Sequence, residues 1–160
     1  MKTILLFFSV FLTTSLFGQN VYIPDANFKA ALVNNSNINT NGDAEIQVSE
    51  ATAFTGEIDL DELGIADLTG IEAFVSLTKL SCWLDNLTSL DVSQNTTLKF
   101  LNCSGNKLTS IDVSQNTALI KLNCGGNNLT SLDVSANTAL KYLNCSGNKL
   151  TSLDVSANTA

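Results

Sequence analysis

The spacing of apolar residues changes character twice along the 160-residue chain. Residues 4–12 (ILLFFSVFL) form an apolar run of nine residues. A helical spacing follows at Phe28, Ala31 and Leu32, an i, i+3, i+4 face preceded by Asp25, whose side chain suits a helix N-cap. From residue 65 onward a fixed period takes over. Stacked from Leu87, the chain reads LTSLDVSQNTTLKFLNCSGNK, LTSIDVSQNTALIKLNCGGNN and LTSLDVSANTALKYLNCSGNK, then the incomplete LTSLDVSANTA. The turn before these, residues 65–86, fits the same frame with one extra residue. Each 21-residue unit also repeats within itself, since LTSLDVSQN (87–95) and LKFLNCSGN (98–106) share one pattern of Leu, Leu, small apolar residue and Asn. Alternation of this kind predicts a short strand in each half-unit with Leu, Leu and Val or Cys facing inward. The Asn that follows is a turn former able to bond free backbone groups. One unit cannot cover its own apolar face, so the period predicts a β-rich solenoid of stacked units.

The repeat resembles the leucine-rich repeat. More narrowly, it resembles the bacterial class of this same period with nested LxxLxCxxN and LxxLDVSxN halves, as found in secreted proteins of Bacteroidetes. The resemblance spans residues 65–160 and implies short parallel strands closed by an atypical N-terminal cap, while leaving the ligand open. The expected organisation is therefore a signal peptide over 1–18, an acidic cap over 19–64 and repeats over 65–160, the last of them incomplete. Lys2, the apolar run and the small residues up to Gly18 follow the grammar of an export signal, with the mature chain expected to begin near Gln19. The run is too short to span a membrane, and no later stretch is long and apolar enough. The chain is expected to be exported, to the medium or the outer cell surface.

Composition narrows the chemistry. The chain has no His, and all eight of its basic residues are Lys. Ser–His–Asp and Cys–His catalysis and His-ligated metal sites are therefore excluded. A net charge of −7 argues against a nucleic-acid partner. The charge is local: residues 43–72 hold nine acids and no base, whereas 73–160 hold five acids and six Lys. Asp59 and Asp61 are the nearest approach to a paired-carboxylate device, and in a capping segment they read as structural. No enzyme activity is expected.

Three further features bear on function. Cys82, Cys103, Cys124 and Cys145 recur at one register, one per unit, in the inward position of the LxxLxC half. Parallel neighbours in a stack point the same way, which is poor disulfide geometry, so a buried column of free thiols is expected. Asp91, Asp112, Asp133 and Asp154 form an outward column of like charges, expected to be a solvated face relieved by the nearby hydroxyls. In the cap, residues 39–50 resemble a twelve-residue EF-hand calcium loop. That resemblance implies ligands Asn39, Asn41 and Asp43 at positions 1, 3 and 5, the Glu45 carbonyl at 7, Gln47 at 9 and Glu50 at 12. Asn at position 1, and Ala44 at position 6 where a sharp turn calls for Gly, limit it to weak calcium affinity, with Ala44 expected to be strained.

The outward residues of the LxxLxC strands form a column of Lys79, Phe100, Lys121 and Tyr142, with Trp83 nearby. Exposed aromatic rings beside flexible cations suit protein contact or sugar stacking. The sequence thus points to an exported binding or adhesion module that presents its strand face to a protein or glycan. The alternative is the non-catalytic front part of a larger secreted enzyme or surface protein whose activity lies downstream of Ala160. Nothing in the sequence sets an oligomeric state.

Overall fold

The computed structural model describes residues 18–160, so the signal-peptide reading falls almost wholly outside the described residues. The element order is α1 (Ala26–Val33), α2 (Val48–Ala53), β1 (Glu57–Asp59), a 3-10 turn (Ile71–Ala73), β2 (Lys79–Ser81), β3 (Phe100–Asn102), β4 (Lys121–Asn123) and β5 (Tyr142–Asn144). The five strands form one parallel sheet in chain order. Its register runs Glu57, Lys79, Phe100, Lys121, Tyr142, with the repeat period at every step after the first. The stack therefore begins one strand earlier than the repeat pattern suggests, inside the segment read as cap.

Each turn buries the same side chains. Leu80, Leu101 and Leu122 lie under the strands, with Cys82, Cys103 and Cys124 next to them and Val92, Val113 and Val134 on the opposite wall. The cap closes the N-terminal end of this core with Phe28, Leu32, Ile38 and Ile46, and Phe54 meets Phe74 edge-on at 6.3 Å. Asp25 joins cap to stack through one carboxylate. Oδ1 accepts from Asn27 and Phe28 at the start of α1, and Oδ2 accepts from the backbone of Ala66 and Asp67. Burial alone would raise this carboxyl's pKa, but the four N–H donors hold it below its ordinary value.

The LxxLDVSxN halves are not strands. Among the described residues their sole pairing is a single bridge, Asp91 to Asp112. The reason lies in the aspartates: Asp91, Asp112, Asp133 and Asp154 each accept the backbone N–H of the serine two positions on, at 2.8–2.9 Å, which turns the chain out of extension. Hydrogen bonds from Asn95 to Val92 and from Leu98 to Asn95 then carry the chain round as consecutive turns.

Asparagines lock successive turns together in two columns. Asn106 donates to the Cys82, Cys103 and Ser104 carbonyls and accepts from the N–H of Leu87; Asn127 does the same one turn later. On the other wall, Asn116 bridges the carbonyls of Val92 and Asn95, and Asn137 those of Val113 and Asn116. The tight turn before the first column puts Gly105, Gly126 and Gly147 at φ of 62–69°. In the preceding repeat that position is Leu84, at φ 55°, a conformation that costs an L-residue about 1–2 kcal/mol.

Asp85 fills the asparagine position in that same repeat. It is 5% exposed; Oδ1 accepts from Ile65, while Oδ2 is buried without a hydrogen-bond partner. Burial raises its pKa, outweighing the N–H groups of Ile65, Gly64 and Leu63. A raised carboxyl pKa favours the folded state most below the unfolded value near 3.8, and this contribution is lost as pH rises through the folded pKa. Asp85→Asn is therefore expected to stabilise the protein at pH 7 by about 1 kcal/mol. Because Asp25, Glu50 and the outward aspartates have lowered pKa values and add stability as pH rises, the variant, freed of Asp85's opposing contribution, should gain stability from pH 4 to 7 more steeply than wild type, measured by urea unfolding across pH.

Candidate functional site

The sheet register sets Lys79, Phe100, Lys121 and Tyr142 side by side and adds Glu57 at the cap end. Along this column Lys79 pairs with Glu57, whose hydrogen bond raises the lysine's pKa, and Lys121 Nζ sits 5.6 Å from the centre of the Tyr142 ring. Phe100 is half-buried between the lysines, and Tyr142 is 49% exposed. With Asn102 and Asn123 they line an open depression of about 400 Å³. The neighbouring outward column, Ser81, Asn102, Asn123 and Asn144, continues the surface as a row of polar groups. Asn102 donates to Ser81 Oγ at 3.2 Å and Asn123 to Ser104 Oγ at 3.1 Å, so the face is held rigid by its own hydrogen bonds. Rigid amides beside cations and rings offer contact area and fixed hydrogen-bonding groups. The site contains nothing to activate a nucleophile.

Trp83 is not part of this column. It lies in the turn after β2, its N–H donating to Asp61 Oδ1 at 2.8 Å. Asp61 also takes the Ser81 hydroxyl at 2.6 Å, and Asp59 takes the Asp61 N–H, so both carboxylates brace the turn. Sequence reasoning passed over Glu57, Leu63 and Leu84. Glu57 lies ahead of the repeat pattern; the two leucines look like core residues but are 44% and 47% exposed.

A second open depression, about 610 Å³, lies on the LDV side between Asp67, Glu72, Asp91 and Asp112. Each aspartate of the outward column is held below its ordinary pKa by the serine that follows it, through backbone and hydroxyl hydrogen bonds. The column's negative charges are thus stabilised one by one along the chain.

The cap loop is closed by its own hydrogen bonds. Glu50 Oε1 accepts from the Thr40 N–H, the Thr40 hydroxyl and the Asn41 N–H, and Oε2 accepts from the Gln47 N–H, completing the capping box of α2. Burial opposes ionisation of Glu50, but these donors hold its pKa below the ordinary value. Asn39 Oδ1 accepts from Gly42, Asn41 Oδ1 from Asp43, and Asp43 Oδ1 from Glu45. Gln47 Nε2 donates to Asp43 Oδ2, and the Glu45 carboxylate reaches Lys29 at 2.7 Å. The left-handed residue is Gly42, at φ 73°, rather than Ala44, so the strain expected at Ala44 is absent. Among the described residues no three His, Cys, Asp or Glu side chains converge on a metal-sized site.

The four cysteines are free, Cys82, Cys103 and Cys124 buried and Cys145 partly so. Burial pushes the Cys124 thiol up to about 12 and raises Cys82 and Cys103 as well.

Stacked parallel strands over columns of Leu, Cys and Asn define a leucine-rich-repeat solenoid. Residues 38–158 match the model of the endo-beta-N-acetylglucosaminidase EndoS LRR domain, and the chain belongs to this leucine-rich-repeat family. Internalin J of Listeria monocytogenes serotype 4b (strain F2365) is 45% identical over 89 residues, covering 52% of this chain and 9% of that protein. The functional domain of InlJ from L. monocytogenes, described as including a cysteine ladder, superposes with a TM-score of 0.79 at 45% identity. That match covers 88% of this chain and 31% of the other. The internalin InlF of L. monocytogenes shares the fold at 22% identity and a TM-score of 0.63, over 91% of this chain and 50% of the other. The chain therefore spans under a third of the internalin J domain.

The thiol column makes a direct prediction. With a thiol reagent at pH 8, Cys145 is expected to react first in the native protein, and Cys82, Cys103 and Cys124 only at the rate of unfolding. Rapid native labelling of all four would contradict a buried column.

Proposed function

We propose that the chain is a non-enzymatic, exported binding module that holds a protein partner against the strand face, over Lys79, Phe100, Lys121 and Tyr142. The observation that carries this reading is the register: these outward positions alternate cation and aromatic ring in one contiguous column, over leucines and cysteines that recur. Aromatic rings on a rigid support contribute contact area with little ordering cost, and the lysines add orientation. The relation to internalins, a group of repeat proteins, supports protein binding. The family description names an endo-beta-N-acetylglucosaminidase, which supports the alternative that the repeats serve a larger secreted protein whose activity lies elsewhere. A glycan ligand is the second partner class this face suits.

The double variant Phe100→Ala/Tyr142→Ala is expected to weaken capture of the partner at least tenfold while leaving thermal stability within a few degrees. Immobilised protein can be screened against surface-protein and glycan arrays. Equal capture by wild type and the double variant would move the binding site off this column.

For the cap loop we propose calcium affinity of about 10⁻⁴ to 10⁻³ M, because an entering cation must displace Glu50 from four hydrogen bonds. Calorimetry is expected to show no saturable heat at micromolar calcium. Tight binding there would overturn this proposal.

A further inference from the structure

The first full repeat departs from the three after it at three consecutive positions. Trp83-Leu84-Asp85 stands where Ser104-Gly105-Asn106, Gly125-Gly126-Asn127 and Ser146-Gly147-Asn148 stand. Two of these departures are unfavourable for the fold. Leu84 adopts the left-handed backbone that the later repeats assign to glycine, and Asp85 leaves a buried carboxylate oxygen unpartnered where the later repeats place asparagine. What the repeat gains is exposed apolar surface, with Trp83 38% and Leu84 47% accessible. Leu63, on the preceding turn, is 44% accessible. Hydrogen bonds from Glu62 to the Trp83 carbonyl and from Leu84 to the Ser104 carbonyl hold these turns side by side. Leu63, Trp83 and Leu84 thus stand as an exposed apolar ridge on the adjacent bends that follow β1 and β2. Single exposed leucines are ordinary, but three large apolar groups on adjacent turns mark a contact surface.

Charge around the ridge indicates what it contacts. Asp59, Asp61 and Glu62 border it, and its own two turns, residues 60–65 and 82–87, carry no lysine. The nearest lysines are engaged: Lys79 pairs with Glu57, and Lys107 donates to Asn86 Oδ1 at 2.8 Å. We propose that the Leu63–Trp83–Leu84 ridge is a second docking surface, one that takes a cationic, apolar peptide segment of a partner protein. Leucine- or phenylalanine-like side chains lie on the ridge, and flanking Lys or Arg face Asp59, Asp61 and Glu62. The surface shares no residue with the Phe100–Tyr142 column, so the two readings stand or fall separately.

Trp83 is the chain's only tryptophan, so its fluorescence reports directly on the ridge. A twelve-residue peptide of Leu and Lys, titrated into the full chain, is expected to give a saturable blue shift. Its affinity should fall at least tenfold between 50 and 500 mM salt, and the matching Leu and Glu peptide should give no response. Trp83→Ser/Leu84→Gly installs residues the chain itself uses at these positions, so it is expected to fold and to melt no lower than wild type. Calorimetry should show at least tenfold weaker peptide binding to this variant, with Phe100→Ala/Tyr142→Ala unchanged. No shift, equal response to both peptides, or full affinity in the ridge variant would each overturn the proposal.

Discussion

The solenoid depends on the buried asparagine side chain that spans two turns. A chain returning once per repeat to a position one strand-width away exposes peptide groups on the inner side of each bend, where no sheet ladder can reach them. An amide carries donors and an acceptor on one short arm, so Asn127 reaches the carbonyls of Cys103 and Cys124 and the N–H of Leu108 together. Each such residue removes several orphaned backbone groups, every one of which would cost about 1–3 kcal/mol if left buried and unpaired. Leucines fill the space between turns, but the amides set the step from one turn to the next.

Because the step is fixed by chemistry that recurs, it could be read from sequence. The thiol column followed from Cys82, Cys103, Cys124 and Cys145 sharing one register, and the parallel sheet followed from the same spacing. The LDV half could not be read this way. Its alternation of Leu, Asp and Val matches a strand, yet the serine after each aspartate supplies a nearer partner for the carboxylate, and that local bond wins over the ladder. β1 was hidden for a different reason: Glu57–Asp59 pairs with β2, but the turn after it has Leu63 where the repeats have asparagine. In the cap loop, the oxygens at EF-hand intervals accept hydrogen bonds from the loop's own amides, a use that spacing does not reveal.

The candidate sites were legible to different degrees for the same reason. Residues within a strand inherit their direction from the register, so the column from Lys79 to Tyr142 could be placed from its spacing. Residues in the bend after a strand do not. Leu84 points where a left-handed backbone sends it, and that conformation is invisible when the residue holding it is not glycine. An internal repeat supplies its own control: a residue that breaks the pattern at a cost to the fold stands out against neighbours that keep it.

That control also weighs the two surfaces differently. The strand-face column sits on the outer side of the strands, where its lysines and rings replace no left-handed glycine and no buried amide. The ridge sits where glycine and asparagine are favoured, so Leu84 and Asp85 replace stabilising residues with strained and unpaired ones. Those two residues lie in one repeat, next to the acidic cap and against the turn that Asp25 ties to α1. A solenoid transmits little strain along its length because each turn touches only its neighbours. The cost therefore stays within the first repeat, which the cap already braces, and the later repeats keep the register that the strand face requires.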